Sequence, residues 1–180
     1  MNSNLLQVFQ KKITSFFKSN KIDHGLISDS ALDTLKVLKE NKYDAFIVGG
    51  AIRDILMGYK PKDFDIATNA TPEQVRSIFK RSRIIGRRFK LVHVIYGREI
   101  IEVSTFRSKP RQKIQMANGV LKDNEYGSIE EDAERRDFTI NALYYNVEDK
   151  NLIDFYGGLK DIQKNQLRLI GKPKLRYQED

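Results

Sequence analysis

Cysteine is absent from the 180 residues, which excludes a disulfide framework, thiolate zinc sites and a cysteine nucleophile. Histidine is scarce, and His24 and His93 alone leave little for an imidazole-based metal site. Any metal here would sit on carboxylates. No apolar run approaches the ~20 residues needed to cross a bilayer, and Met1–Asn20 lacks both an apolar signal core and a small-residue cleavage site. The expectation is a soluble chain of the cytoplasm. Internal repeats and low-complexity tracts are also missing.

What is present is a 40% hydrophobic content, enough for one cored domain or one domain plus a fragment. Lys and Arg number 32 against 24 Asp and Glu, a net charge of +8 that points to a polyanion, nucleic acid first. The cations are clustered. Arg76, Lys80, Arg81, Arg83, Arg87, Arg88 and Lys90 fall in one stretch without an acid, and Arg107, Lys109, Arg111 and Lys113 form a second group read as a basic loop. A solvated face is the alternative for either cluster taken alone.

Residues 5–18 show the spacing of an amphipathic helix, an arm against the body or a partner. A helix is predicted over Ser30–Lys39, then a buried strand Ala45–Val48, the turn Gly49-Gly50 and a helix Ala51–Met57. A short strand holds Lys62–Ala67. Thr71-Pro72-Glu73-Gln74 has the cap, first-turn proline and capping-box glutamine of a helix running to about Lys80. Leu91–Tyr96 and Glu99–Ser104 flank Gly97-Arg98 as a hairpin, in which counting outward pairs His93 with Glu102. Ser128 and Glu131 form a capping box for a helix predicted through Leu143, with a last strand at Leu152–Phe155.

Asp63 and Asp65 stand two apart on a predicted strand, so their carboxylates share a face and repel. A shared hard divalent cation would relieve that repulsion, Mg²⁺ being the first choice for phosphate chemistry. Taken alone, such a pair more often serves the surface or a turn. Glu102 alternates with Ile101 and Val103, which puts a third acid on a strand face, and His93 beside it either orients it or is a half-buried strand residue. Gly49-Gly50 offers backbone N–H groups to an anion without a Cβ in the way, with Arg53 one turn into the helix. It is neither a P-loop nor a dinucleotide fingerprint. A glycine turn, then Asp-x-Asp, then a strand acid is the order that nucleotidyl transfer needs.

The motifs Val48-Gly49-Gly50-Ala51-Ile52-Arg53-Asp54, Asp63-Phe64-Asp65-Ile66-Ala67-Thr68, Glu102-Val103-Ser104-Thr105-Phe106-Arg107 and Arg135-Arg136-Asp137-Phe138-Thr139-Ile140-Asn141-Ala142 occur in that order. From about Ser28 onward the chain resembles the head region of the class II tRNA nucleotidyltransferase and bacterial poly(A) polymerase family, of the polymerase-beta-like nucleotidyltransferase superfamily. Asp154-Phe155-Tyr156-Gly157-Gly158 looks like that family's hinge segment. Ile84–Val94 resembles the signature of its polyadenylating branch, as do Pro61–Gln74 and Tyr126–Tyr145, so that branch is preferred to CCA addition.

The resemblance implies an α+β fold: a nucleotidyltransferase palm with a small mixed or antiparallel sheet backed by helices, followed by the start of a helical neck. The corresponding layout is an arm over 1–27, a head over 28–150 and a hinge with the truncated neck over 151–180. It implies that Asp63 and Asp65 hold paired Mg²⁺ ions and that Glu102 completes the carboxylate set. Gly49, Gly50 and Arg53 would receive the triphosphate of ATP, Arg136 the nucleotide, and Asp137 would be a further catalytic acid that positions it. Arg81, Arg83, Arg87, Arg88 and Lys90 are the expected contacts to RNA 3′ ends. Arg136 is also expected to pair with Asp132 one turn earlier. Asp180 matches the first residue of a base-reading Asp-x-x-Arg pair, and further C-terminal neck, body and tail domains are expected in the complete protein. The competing readings are a CCA-adding tRNA nucleotidyltransferase and a catalytically silent RNA-binding fragment.

Overall fold

The computed structural model describes residues 22–87, 89–108 and 126–171. After a 3₁₀ turn at His24–Leu26, helix α1 (Asp29–Glu40) starts where the Ser28 side chain accepts from the Ala31 amide. Strand β1 (Ala45–Val48) leads through Gly49 into α2 (Gly50–Leu56), and β2 (Phe64–Thr68) follows. Helix α3 (Pro72–Ile78) carries the expected capping box between Thr71 and Gln74. Strands β3 (Ser82–Ile85), β4 (Leu91–Tyr96) and β5 (Glu99–Thr105) come next. Helix α4 (Ile129–Glu134), a 3₁₀ turn at Thr139–Asn141, β6 (Leu143–Asn146), β7 (Asn151–Asp154) and α5 (Gly158–Gln163) complete the order.

The strands form one mixed sheet in the order β3-β4-β5-β2-β1-β6-β7, in which β2 and β5 run parallel and the other pairs antiparallel. Alternation gives the sheet two different faces. Val92, Val103, Ile66, Ile47 and Tyr145 share one register row and pack with Leu35 and Leu38 of α1, Ile52 and Ile55 of α2, and Val75 of α3. On the opposite face Val48, Ala67, Phe106 and Tyr144 pack with Ala133 of α4. That second cover is small. It leaves Asp65 half-buried and Glu102 exposed on the part of this face beside it.

The hairpin register agrees with the sequence, Tyr96 facing Glu99 and His93 facing Glu102. The helix expected to run through Leu143 is cut short. It stops at Glu134, Phe138 is extended (φ −117°, ψ 141°) and bridges to Leu169, and Leu143–Asn146 joins β1 as a strand. The capping box set the start correctly, but the apolar spacing beyond it belongs to aromatic and branched residues that suit a pleated surface. Helix α3 likewise ends at Ile78 rather than Lys80, and the chain turns into β3, a strand not anticipated within the basic stretch. The helix over 5–18, most of the 1–27 arm, Arg88, the loop residues Lys109, Arg111 and Lys113, and Asp180 lie outside the described residues. No helix among the described residues is long and apolar enough to cross a membrane.

Candidate active site

Gly49 ends β1 with φ +78° and ψ −139°, a backbone conformation that side chains rarely adopt. A Cβ there would lie 3.4 Å from Asp65 Oδ2 and 3.5 Å from Arg136 Nη1, so the missing side chain leaves bare backbone between a carboxylate and a guanidinium. A Cβ on Gly50 would lie 3.4 Å from Arg53 Nη2. The glycine turn therefore carries an arginine beside each glycine. Helix α2 is short, and the cationic character of the site comes from these two side chains more than from its dipole.

Register brings the acids together. Val48, Asp65, Glu102, His93 and Arg83 are successive partners across β1, β2, β5, β4 and β3, and so stand in one row on one face. His93 Nε2 lies 3.3 Å from Glu102 Oε1. Asp63, exposed, immediately precedes β2. Burial pushes the Asp65 carboxyl above its ordinary range; the charges of Glu102 and Asp63 push the same way, and Arg136 opposes them.

Among the described residues, no group of three or more histidine and acidic side chains is arranged to hold a metal ion as it stands. The donor chemistry still fits one. Asp63, Asp65 and Glu102 offer only oxygen, and the repulsion that raises Asp65 is the kind that a hard divalent cation removes.

Arg53 is held on two sides. Its Nε and Nη2 donate to Asp54 Oδ1 at 2.9 and 2.7 Å, and its Nη1 donates to Asn141 Oδ1 at 2.9 Å. Arg136 donates from Nε to the Tyr144 hydroxyl at 3.0 Å, from Nη1 to the Asn141 carbonyl at 3.3 Å and from Nη2 to Asp132 Oδ2 at 3.4 Å. The Tyr144 hydroxyl donates in turn to Asp132 at 2.7 Å. The Arg136–Asp132 pair expected one turn apart is therefore present, inside a larger buried network. Asp137 is exposed, and its carbonyl accepts from the Ile170 amide.

Asp54 and Asn141 stand in the sequence reading as members of motifs without a role of their own at this site, and Tyr144 has none there either. Reading Leu143-Tyr144-Tyr145 as a strand would have brought Tyr144 beside Val48 and exposed the turn that carries Asn141.

The basic candidates divide. Arg81, Arg83 and Arg87 are exposed, and Arg83 shares the row of the acids. Lys90 instead pairs with Glu73 at 2.9 Å. Arg76 donates to the carbonyls of Phe79 and Lys80 and closes the end of α3. Arg107 lies 4.7 Å over the Phe89 ring.

The family described as Poly A polymerase head domain matches residues 45–168. Among relatives, Poly(A) polymerase I of Haemophilus influenzae is 53% identical over 161 residues, 85% of this chain and 36% of the relative. The CCA-adding enzyme of Lactobacillus johnsonii is 40% identical over 152 residues, 84% of this chain and 37% of the relative. Among solved structures, the Bacillus stearothermophilus CCA-adding enzyme in complex with CTP is similar with a TM-score of 0.70 at 37% identity, covering 83% of this chain and 35% of that one. The chain spans about a third of the length of the relatives it matches.

Proposed function

The chain belongs to the Poly A polymerase head domain family, and from that premise we propose that it is the catalytic head of an enzyme that adds AMP from ATP to RNA 3′ ends. The 3′-hydroxyl oxygen bonds to the α-phosphorus of ATP, the bond from that phosphorus to the bridging oxygen of the β-phosphate breaks, and pyrophosphate leaves. The hydroxyl proton passes to solvent. The observation that carries the reading is the adjacent register of Asp65 and Glu102, on the face where Gly49 leaves Asp65 Oδ2 beside open backbone.

Asp63, Asp65 and Glu102 would hold Mg²⁺, which when bound makes the attacking hydroxyl more acidic and offsets the charge of the leaving pyrophosphate. The protein's own part is orientation and charge. Arg53, over Gly50, takes the triphosphate with the N–H donors that Asp54 and Asn141 leave, and Arg136 steadies the nucleotide beside Gly49. His93 holds the Glu102 carboxylate in line, and the exposed Asp137 positions nucleotide. Arg81, Arg83 and Arg87 extend the cationic surface outward from the acids along β3 and its flanks, a path for the RNA backbone. A cytoplasmic place of action goes with this reading.

Identity supports polyadenylation over CCA addition: 53% to a Poly(A) polymerase I against 40% to a CCA-adding enzyme. The test is extension of labelled oligo(A) by ATP, in a form extended to the length of the relatives. Asp63→Asn and Asp65→Asn are each expected to lower Mg²⁺-dependent extension at least ~10³-fold, in keeping with loss of charge stabilisation in the transition state. Turnover retained in either variant would remove the metal assignment, and incorporation of CTP on a tRNA end as readily as ATP would favour the second activity.

A further inference from the structure

Asn141 touches both arginines of the glycine turn, the first through its side chain and the second through its backbone. Its Oδ1 accepts from Arg53 Nη1 at 2.9 Å and its carbonyl accepts from Arg136 Nη1 at 3.3 Å. Those guanidinium groups are the ones that a Cβ on Gly50 or on Gly49 would meet, at 3.4 and 3.5 Å. One residue thus joins the two cations on either side of the bare backbone.

The residue itself is well anchored. It lies in the 3₁₀ turn Thr139–Asn141, where the Asn141 amide donates to the Phe138 carbonyl at 3.0 Å and Thr139 Oγ1 donates to buried Asp161 Oδ2 at 2.6 Å. Gly158 of α5 sits so close to the Thr139 carbonyl that a Cβ would collide with backbone. The turn is fixed from the side away from the site.

The amide has a chemical reason. A guanidinium has five N–H donors in a rigid fork, and Asp54 and Asn141 together take three of them here, leaving donors for a ligand. Asp54 already offsets part of the charge on Arg53. A neutral acceptor at 141 fixes the plane of the fork without offsetting more of it, whereas a carboxylate would fix the plane and weaken the attraction for an anion.

We infer that Asn141 is a positioning residue that sets the Arg53 guanidinium beside the glycine turn to receive the triphosphate of the incoming nucleotide. This rests on the reading of Arg53 as the triphosphate ligand. The experiment measures binding of inorganic tripolyphosphate and the KM and kcat for ATP in the full-length protein, with Asn141→Ala, Asn141→Asp, Arg53→Ala and the Arg53→Ala/Asn141→Ala pair. Asn141→Ala is expected to weaken tripolyphosphate binding and raise KM about tenfold, the size of one hydrogen bond to a charged group, with kcat within about threefold. In the Arg53→Ala background the same substitution is expected to do nothing further. Asn141→Asp, which keeps an acceptor, is expected to bind no better than Asn141→Ala.

Three outcomes overturn the inference: wild-type affinity in Asn141→Ala while Arg53→Ala loses it, an equal loss from Asn141→Ala when Arg53 is already gone, or full rescue by Asn141→Asp. If Arg53→Ala itself binds tripolyphosphate as the wild type does, the parent reading of the triphosphate site fails, and this inference with it. Should Asn141→Ala not fold, Asn141→Asp against Arg53→Ala gives the same decision.

Discussion

Asp132 should be the most costly side chain to lose near the site, because a buried charge has few ways to be replaced. It is 7% exposed, and it accepts from the Tyr144 hydroxyl at 2.7 Å, from Arg136 Nη2 at 3.4 Å and from the Arg107 amide at 3.1 Å. Asp132→Ala takes the acceptor from all three while Tyr144, fully buried, stays where water cannot reach it. Breaking a buried charge pair on one side costs about 3–5 kcal/mol. That is a large share of the ~5–15 kcal/mol that holds a domain together. At ~2–4 °C per kcal/mol for a chain of this size, the melting temperature should fall by roughly 6–20 °C. Tyr144→Phe removes only the hydroxyl that Asp132 and Arg136 share, and is expected to cost ~1–2 kcal/mol. Since the two side chains act on each other, the double variant should be less destabilised than the sum by ~1 kcal/mol or more. Urea unfolding of the four proteins measures the free energies, and thermal melts measure the shift in melting temperature. An Asp132→Ala variant within ~1 kcal/mol of wild type, or strict additivity with Tyr144→Phe, would refute the claim that this network is desolvated and cooperative.

Three further outcomes are expected. Burial alone would raise the Asp161 carboxyl, but hydrogen bonds from Thr139 and Arg168 and the charges of Arg168 and Lys164 hold it below its ordinary range. Its contribution to stability is therefore full above the unfolded pKa of ~3.9 and lost as pH falls through the lower folded value; the gap in urea midpoint between wild type and Asp161→Asn should be steady from pH 5 to 8 and close below about pH 4, and a gap unchanged in acid would contradict it. Gly158→Ala would drive a Cβ into the Thr139 backbone and is expected to cost ~1–3 kcal/mol with a raised KM for ATP, since the displaced turn carries Asn141; a variant as stable as wild type would show that α5 can shift freely. Neutralising Arg81, Arg83 and Arg87 together should lower RNA affinity and reduce the slope of log affinity against log salt by ~2, and an unchanged slope would send the RNA path elsewhere.

Parts of the fold were legible where a local rule decides the outcome. The Thr71-Pro72-x-Gln74 box and the Ser128–Glu131 box each mark a helix start, because orphan amides need a side-chain acceptor whatever lies beyond them. The two-residue turn at Gly97-Arg98 fixes the hairpin register, and with it the contact of His93 and Glu102. Helix ends are less local. The aromatic and branched residues toward Leu143 suit a strand, but where the helix stops is decided by a place for Leu143–Asn146 on the free edge of β1, a partner some hundred residues earlier in sequence. The same error hid part of the site. A continuous helix would put Asn141 one turn from Asp137, whereas the 3₁₀ turn puts it against Arg53, and Tyr144 between Arg136 and Asp132. The parallel pairing of β2 with β5 was equally out of reach, because spacing shows that Asp65 and Glu102 each lie on an exposed strand face but not that the strands are neighbours. Motif order supplied that neighbour relation through resemblance; apart from the Arg136–Asp132 pair, the hydrogen bonds around the two arginines came only from the folded chain. Residues that define chemistry are thus visible as types in sequence, while those that aim them, Asn141, Asp54 and Tyr144, take on their roles only once the backbone has turned the chain back on itself.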